Sequence, residues 1–384
     1  LAEPAPLIEV SGSPRERGRQ YGEQAAARIR RGVGHYLAQM GAETVEERGI
    51  GGHARAFVPA IDRFDPTYTE EMRGIAEGAG LPFEAVVLLN CRTEILQLAK
   101  RAAEAGDEAS PDRGCTGLVC LPSITADGRV IHAQNWDWKA ECAETSVVLR
   151  IRRDDGPDIL TFTEAGGLAR SGFNSRGIAI TANYLECERD YRRTGVPLAL
   201  IRRKVLQSAH LAHAMAAVYA TPKSASNNMI VSHPAGVAID FECAPDESFQ
   251  VHPEDGLLVH ANHWISPVAL AKLRDTGIAS TPDSLYRDIR VRELVAPHRG
   301  RVTMETVKAA LFDDFETPFA VCRPPRPSLS GNLTATVAMI VLVPETGRME
   351  VAMLPALDRR FTPYTLEMEP EARARAARPG RQAA

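Results

Sequence analysis

The 384-residue chain contains no apolar run of about 18 residues, so no transmembrane helix is expected. It also lacks a strong charge of either sign. A net charge of −4 leaves no basic footprint for nucleic acid or another polyanion, and such partners are set aside. No Cys-x-x-Cys pair occurs among Cys91, Cys115, Cys120, Cys142, Cys187, Cys243 and Cys322. That absence, with the odd number, argues against a disulfide framework and against a zinc ribbon. Free thiols in a reducing cytoplasm are expected instead. No internal repeat of fixed period is present, so the chain is not read as a repeat array. It begins at Leu1 rather than methionine, which leaves open a trimmed segment, a removed signal peptide included.

What is present describes a soluble globular protein, 44% hydrophobic and 24% charged, long enough for a sizeable core in one large domain or two ordinary ones. The first hundred residues read as helical. Ser13-Pro14-Arg15-Glu16 has the form of a capping box with proline at the first helical position. Tyr21, Ala25, Ile29, Val33, Leu37 and Met40 then recur at helical spacing. A second helix is expected from Asp65-Pro66, and a third across "FEAVVLLNCRTEILQLAKRAAEAG" after Leu81-Pro82.

From residue 116 the period changes. "TGLVCLPSIT" and "RVIHAQNWDW", joined through Asp127-Gly128, read as a hairpin. Further strand runs follow at "SVVLRIRR", "DILTFTEAGG", "RGIAITANY", "NNMIVSHPAGVAIDFE" and "GLLVHANHW". A long helix over 197–220 interrupts them, and another helical stretch covers about 282–312. A last hairpin turns at Glu345-Thr346-Gly347. Short hairpin connections imply antiparallel sheets, and the interleaved helices are expected to cover their outer faces: an α+β chain. The polar segment 102–114 is the best candidate for a cleavable linker. The charged tail 366–384 is expected to be disordered.

Cys115 follows Gly114 where the polar segment gives way to the first strand. An N-terminal cysteine carries both a thiol nucleophile and an α-amine, with a pKa of about 7.7–8.0 in model peptides, to take its proton. Cys115 gains that amine only if the Gly114–Cys115 bond breaks. Glycine there tolerates unusual backbone geometry and leaves its carbonyl open to the neighbouring thiol. Gly-Cys alone is a weak signal, because free cysteine is among the most buried residue types. Asp137, at the end of "AQNWDW", is placed to face the Cys115 amine and shuttle protons; a strand-end turn residue is its plain alternative. Asn262, in "HANHW", offers a neutral N–H for an oxyanion; a satisfied core asparagine is the other reading.

The segments "GCTGLVCLPSITADGRVIHAQNWDW", "FTEAGGLARSGFNSRGIAITANY" and "HANHW" resemble the acyl-coenzyme A:6-aminopenicillanic acid acyltransferase family of N-terminal-nucleophile hydrolases. "GSPRERGRQYGEQ" and "YTEEMRGIAEGAGLPFEAVVLLNCRTE" extend the resemblance to about residues 7–360. It implies a four-layer αββα sandwich of two antiparallel sheets covered by helices, and autocatalytic cleavage between Gly114 and Cys115. It also implies amide hydrolysis or acyl transfer through a thioester. A helical light chain 1–114 and a catalytic core 115–365 would form one domain. Cys115 matches the nucleophile, Asp137 the Asp of the NWD motif, and Asn262 the oxyanion Asn. The family's Ser-Arg pair has no match in "RPSLSGNLTATVAMIV"; Ser330 and Asn332 stand there, with Arg323 and Arg326 nearby. Gln134 stands where related hydrolases carry an arginine, beside Asn135, and both are taken as supporting positions.

The expected partners are a small-molecule amide or acyl-CoA substrate and the two chains of one precursor, with a homo-oligomer left open and no membrane. No cofactor is expected. His260 and His263 have metal-like spacing, but in a strand their rings would take opposite faces, and no metal is expected. The glycines of "GIGGHAR" lack the setting of a phosphate loop. Arg152-Arg153, Arg192-Arg193 and Arg202-Arg203-Lys204 could meet acyl-CoA phosphates, but solvated surface charge is the commoner fate. Cys120 is read as packing. The resulting reading is an autoproteolytically activated cysteine amidohydrolase or acyltransferase. Its rivals are a non-catalytic binding protein of the same fold, an acyl-CoA-dependent N-acyltransferase of a β-lactam-like amine, and a papain-type amidase.

Overall fold

The computed structural model describes residues 2–103, 114–327, 333–370 and 372. The N-terminal segment holds β1 (Leu7–Val10) and five helices: α1 (Pro14–Gln39), α2 (Ile50–Phe64), α3 (Pro66–Ala79), α4 (Phe83–Asn90) and α5 (Arg92–Ala103). The Ser13 hydroxyl accepts the Glu16 N–H, and Pro14 enters the first turn of α1, as the sequence indicates. Tyr21, Ala25, Ile29, Val33 and Leu37 are all buried. Asp65 caps α3 through the Thr67 N–H. Helices α1 and α3 touch backbone to backbone: a Cβ on Gly18 would lie 2.1 Å from the Glu71 carbonyl oxygen, and one on Gly74 2.1 Å from that of Arg15.

"GIGGHAR", set aside as a phosphate loop, opens α2 at Ile50. One sequence expectation fails in this segment. The single helix after Pro82 is two, because Asn90 turns its side chain to structure at the break. Its Nδ2 donates to the carbonyls of Val86 and Gly166, and its Oδ1 accepts the Leu168 N–H.

The strands follow: β2 (Cys115–Cys120), β3 (Ile131–Lys139), β4 (Ser146–Ile151), β5 (Ile159–Glu164), β6 (Ser171–Asn174) and β7 (Ala179–Tyr184). Next come α6 (Leu198–Gln207), α7 (Leu211–Ala220), β8 (Asn227–His233), β9 (Val237–Cys243), β10 (Ser248–Val251) and β11 (Leu257–His260). The expected long helix over 197–220 is thus divided, because Asn174 Nδ2 draws in the carbonyls of Leu206 and Ser208. Helices α8 (Pro267–Lys272), α9 (Ser284–Val295) and α10 (Met304–Leu311) precede β12 (Arg326–Pro327), β13 (Leu333–Val343), β14 (Arg348–Met353) and β15 (Thr362–Thr365). The β13–β14 hairpin turns at 344–347, as predicted.

One sheet runs β1-β4-β5-β6-β7-β8-β9-β10; the other runs β11-β2-β3-β13-β14-β15, with β12 beside β13. Every pairing between the described strands is antiparallel except β1 with β4, which the intervening helices and β2–β3 make possible. The sheets lie face to face. His132 of β3 bridges Ser232 and Thr181 at 2.8 Å each, and Val119, Val130, Ile230, Ala238 and Leu258 pack nearby. Helices α6 and α7 bring Leu200, Ile201, Val205 and Val218 onto the eight-stranded sheet with Phe162 and Phe173. Helices α9 and α10 bring Val291, Val295, Val307 and Leu311 onto Leu118, Ala133 and Met339. The layers are therefore αββα.

Cys120 lies in that last cluster, as packing, and all seven cysteines are free and buried. Leu366, Met368 and Ala372, at the start of the segment read as a tail, are buried, and the Glu369 N–H donates to the Ser175 carbonyl. Residues 373–384 and linker residues 104–113 lie outside the described residues. None of the described helices is long and apolar enough to cross a membrane.

Candidate active site

Strand β2 opens at Cys115, which pairs with Trp136 of β3, so both side chains take the inner face. Next to this pair, the Asp137 N–H donates to the Gly114 carbonyl at 3.1 Å. The acceptor is the carbonyl of the bond before Cys115. The Cys115 N–H donates to Asn262 Oδ1 at 2.6 Å, and the Cys115 carbonyl accepts from Arg287 Nη1 at 2.7 Å. The thiol, 5% exposed, lies 3.9 Å from the Asp137 carbonyl oxygen.

The Asp137 carboxylate sits on the Gly114 side rather than beside the thiol. Its Oδ1 accepts the Thr336 hydroxyl at 2.7 Å, and Oδ2 lies 3.2 Å from Arg323 Nε. A Cβ at 114 would stand 2.7 Å from that Oδ2 and 2.6 Å from Arg323 Nη1. Glycine therefore has a steric reason here besides the backbone freedom that the sequence suggests. Asp283 joins Arg323 to Arg287 Nε, the latter at 2.8 Å. Arg287 is fully buried and also donates to Thr116 Oγ1 at 2.8 Å and Asn262 Oδ1 at 2.9 Å.

Asn262 is just past the end of β11, not within it as the sequence suggested. Its N–H donates to Ser284 Oγ at 2.7 Å and its Nδ2 to the Tyr184 carbonyl at 2.8 Å. Because the strand ends at His260, His260 and His263 do not take opposite faces. Their rings stack with centroids 6.3 Å apart. The described residues contain no group of three or more His, Cys, Asp or Glu disposed to hold a metal ion.

Gly114, Cys115, Asp137 and Asn262 thus come together. Gln134 and Asn135 do not join them. Gln134 ties the two sheets, donating to the Ala182 carbonyl and Asn183 Oδ1 and accepting from Ser171 Oγ. Asn135, one residue on and so on the outer face, donates to the carbonyls of Leu311 and Val321. Ser330 and Asn332 lie outside the described residues. The sequence reading missed Arg287, Asp283 and Arg170; the Asp283/Arg287 spacing on one helix face shortly after "HANHW" was the only available sign of the first two.

Burial holds the Cys115 thiol above its ordinary pKa, opposed by the charge of Arg170. Burial also raises Asp137 to about 6 against Arg323 and Arg287. Asp283 is lowered, because Arg287 and Arg323 outweigh its own burial.

The family model for acyl-coenzyme A:6-aminopenicillanic acid acyl-transferase matches residues 124–353. The chain belongs to that family. The matched segment holds Asp137 and Asn262 and begins after Cys115. The acyl-coenzyme A:6-aminopenicillanic-acid-acyltransferase 40 kDa form of Emericella nidulans is 29% identical over 321 residues, 82% of this chain and 84% of that protein. An uncharacterized protein of Archaeoglobus fulgidus is 24% identical over 341 residues, 79% of this chain and 56% of its own length. Among solved structures, conjugated bile acid hydrolase from Clostridium perfringens (C2A mutant) aligns at TM-score 0.47 and 13% identity, over 67% of this chain and 94% of that one. Penicillin V acylase from Agrobacterium tumefaciens aligns at TM-score 0.46 and 14% identity, over 67% and 89%.

Proposed function

We propose that this family member is a cysteine N-terminal-nucleophile enzyme that matures by cleaving its own Gly114–Cys115 bond and then acts on a small N-acyl or peptide-like amide. The observation that carries the proposal is the hydrogen bond from the Asp137 N–H to the Gly114 carbonyl, directly beside the Cys115 thiol. A carbonyl polarised there is set for attack by the neighbouring sulfur.

In maturation the Cys115 sulfur bonds to the Gly114 carbonyl carbon and its proton passes to the departing nitrogen. The peptide C–N bond breaks and leaves a thioester. Water hydrolyses it, releasing a Gly114 carboxylate, a free thiol and a new α-amine. The raised thiol pKa explains why the amine matters. Before cleavage no described side chain accepts a hydrogen bond from Sγ; its contact is the Asp137 carbonyl. Afterwards an amine with a pKa of about 7.7–8.0 stands beside it.

In turnover the amine takes the thiol proton, the thiolate attacks the substrate carbonyl, and the ammonium protonates the leaving amine. Asn262 Oδ1 holds the Cys115 nitrogen. Its Nδ2 has two hydrogens; one is donated to the Tyr184 carbonyl, and the other serves the oxyanion. Asp137, close to Gly114, steadies the new ammonium. Water then resolves the thioester. Resolution by an amine, with acyl-CoA as donor, is a second reading, favoured by the acyltransferase named in the 29% identical relative. Seven free cysteines favour a reducing cytoplasm as its setting.

Intact-mass measurement of wild type and Cys115→Ala tests the proposal. Wild type should resolve into residues 1–114 and 115–384, and Cys115→Ala should stay whole and inactive. A wild-type chain that stays in one piece yet releases amine from an amide would sink it.

A further inference from the structure

Arg202-Arg203-Lys204 reads from sequence as solvated charge, but Arg203 is fully buried against Glu71, and Arg202 points elsewhere. It lines a cavity of about 40 Å³ together with Cys115, Trp136, Arg170 and Asn227. An adjoining chamber of about 30 Å³ shares Arg92, Arg170 and Arg202.

Some polar atoms on these walls are unmatched among the described residues. Arg170 is 9% exposed and Asn227 1%. Arg170 Nε, Arg202 Nε and both side-chain polar atoms of Asn227 have no hydrogen-bond partner among the described residues. Arg170 stacks over Trp136, its Cζ 4.1 Å from the ring centroid, a contact that orients the cation without neutralising it. The nearby carboxylates are engaged elsewhere. Glu164 accepts from Arg92 Nε at 2.5 Å and from the Tyr36 hydroxyl. Glu94 accepts the Leu198 N–H at 3.0 Å, and burial raises its pKa. Asp137 also lines the cavity, but its carboxylate is held by Thr336 and Arg323, so among the described residues none of these three carboxylates accepts from Arg170 or Arg202. Burial pulls Arg170 down to about 10 and Arg202 to about 9, although the charges of Glu164 and Glu94 oppose the shifts.

We propose that this cavity seats a carboxylate of the substrate, gripped by Arg170 and Arg202 and oriented by Asn227, so that the amide acted on at Cys115 belongs to an anionic molecule. This rests on the reading of Cys115 as nucleophile. The volume suits a carboxylate and its first carbon rather than a whole acyl chain. A fixed guanidinium fork matches that group, and the Asn227 amide adds one donor and one acceptor. The carboxylate could sit on the amine half of the substrate or on its acyl half.

Matched pairs distinguish these sources: N-phenylacetylglycine against its primary amide, and glutaryl-4-nitroanilide against its terminal carboxamide. With matured enzyme, the carboxylate member of one pair should exceed its neutral partner in kcat/KM by about 100-fold, the scale of two charge-assisted hydrogen bonds. Arg170→Gln and Arg202→Gln should each cut that ratio about tenfold or more, chiefly through KM. Arg170→Lys should recover part of it, and covers the case in which Arg170→Gln fails to fold.

Calorimetric titration with the same pairs reads the cavity without turnover. Carboxylate-selective binding without turnover keeps the cavity and refutes the nucleophile reading. Turnover with no carboxylate preference in either pair does the reverse and overturns this inference. So does an intact ratio in the arginine variants accompanied by a shifted pH profile for alkylation of Cys115, since Arg170 would then serve only the thiolate. Neither binding nor preference in both pairs also overturns it.

Discussion

Gly114→Ala is the sharpest test of the geometry before Cys115. The added Cβ would lie 2.6 Å from Arg323 Nη1, 2.7 Å from Arg323 Cζ and 2.7 Å from Asp137 Oδ2. Each is close to 1 Å inside ordinary contact of about 3.5 Å. A surface arginine would swing aside cheaply. Arg323 is 1% exposed and held between Asp137 and Asp283, so the backbone at 114 must move or the ion pair must part. Overpacking of this kind costs about 1–3 kcal/mol, and parting a buried pair costs about 3–5 kcal/mol. Either displacement draws the Gly114 carbonyl away from the Asp137 N–H, and a misplacement of about 1 Å at a reacting centre slows reaction about 100-fold. Cleavage and stability are read separately. A mass time course follows maturation of Gly114→Ala. Urea unfolding compares Gly114→Ala/Cys115→Ala with Cys115→Ala, both uncleaved. Maturation at the wild-type rate together with an unchanged urea midpoint would refute the steric reasoning.

Arg287→Met removes the donor to the Cys115 carbonyl, Thr116 and Asn262; it should destabilise the uncleaved Cys115→Ala chain by about 3–5 kcal/mol in urea and, with Cys115 present, block maturation by mass. Gly74→Ala, whose Cβ would meet the Arg15 carbonyl oxygen at 2.1 Å, should lower the urea midpoint by at least about 1–3 kcal/mol worth of stability by separating α1 from α3. His132 is held neutral by burial, its pKa lowered to about 3, whereas an unfolded histidine takes its proton near about 6.5. The unfolded chain therefore binds more protons between those values. The contribution is complete above the unfolded pKa and is lost as pH falls through the window, by up to about 1.4 kcal/mol per pH unit. His132→Gln should show a shallower acid slope than wild type in urea midpoints taken at stepped pH; equal slopes would contradict this.

Much of the fold was legible because local chemistry and tertiary structure agree. The Ser13-Pro14 and Asp65-Pro66 starts became α1 and α3, and the turn at 345–347 joined β13 to β14. The misreadings fall where a side chain distant in sequence overrides the local pattern. Helical periodicity runs through Cys91 and through Ser208 without a visible break. The interruptions depend on Asn90 reaching Gly166 and on Asn174 reaching Leu206 and Ser208. Neither contact has a period, so no reading of spacing reveals it. The strand β1 was lost for a similar reason, since its partner β4 lies far along the chain.

The site divides along the same line. Cys115, Asp137 and Asn262 were legible because each stands beside a recognisable strand or motif, although Asn262 lies beyond the strand end. The arginines were not legible, because a guanidinium acquires meaning only from what surrounds it. Arg287 looks like ordinary helix charge until it is found wholly buried against the Cys115 carbonyl. Arg203 and Arg202 are adjacent in sequence, yet the Arg203 guanidinium closes on Glu71 and the Leu168 carbonyl, whereas Arg202 lines the cavity beside Cys115. Two neighbours of identical type thus take opposite parts, one closing a structural ion pair and the other facing the cavity beside Cys115. The residue that faces the cavity beside Cys115 is the one on which the carboxylate proposal rests.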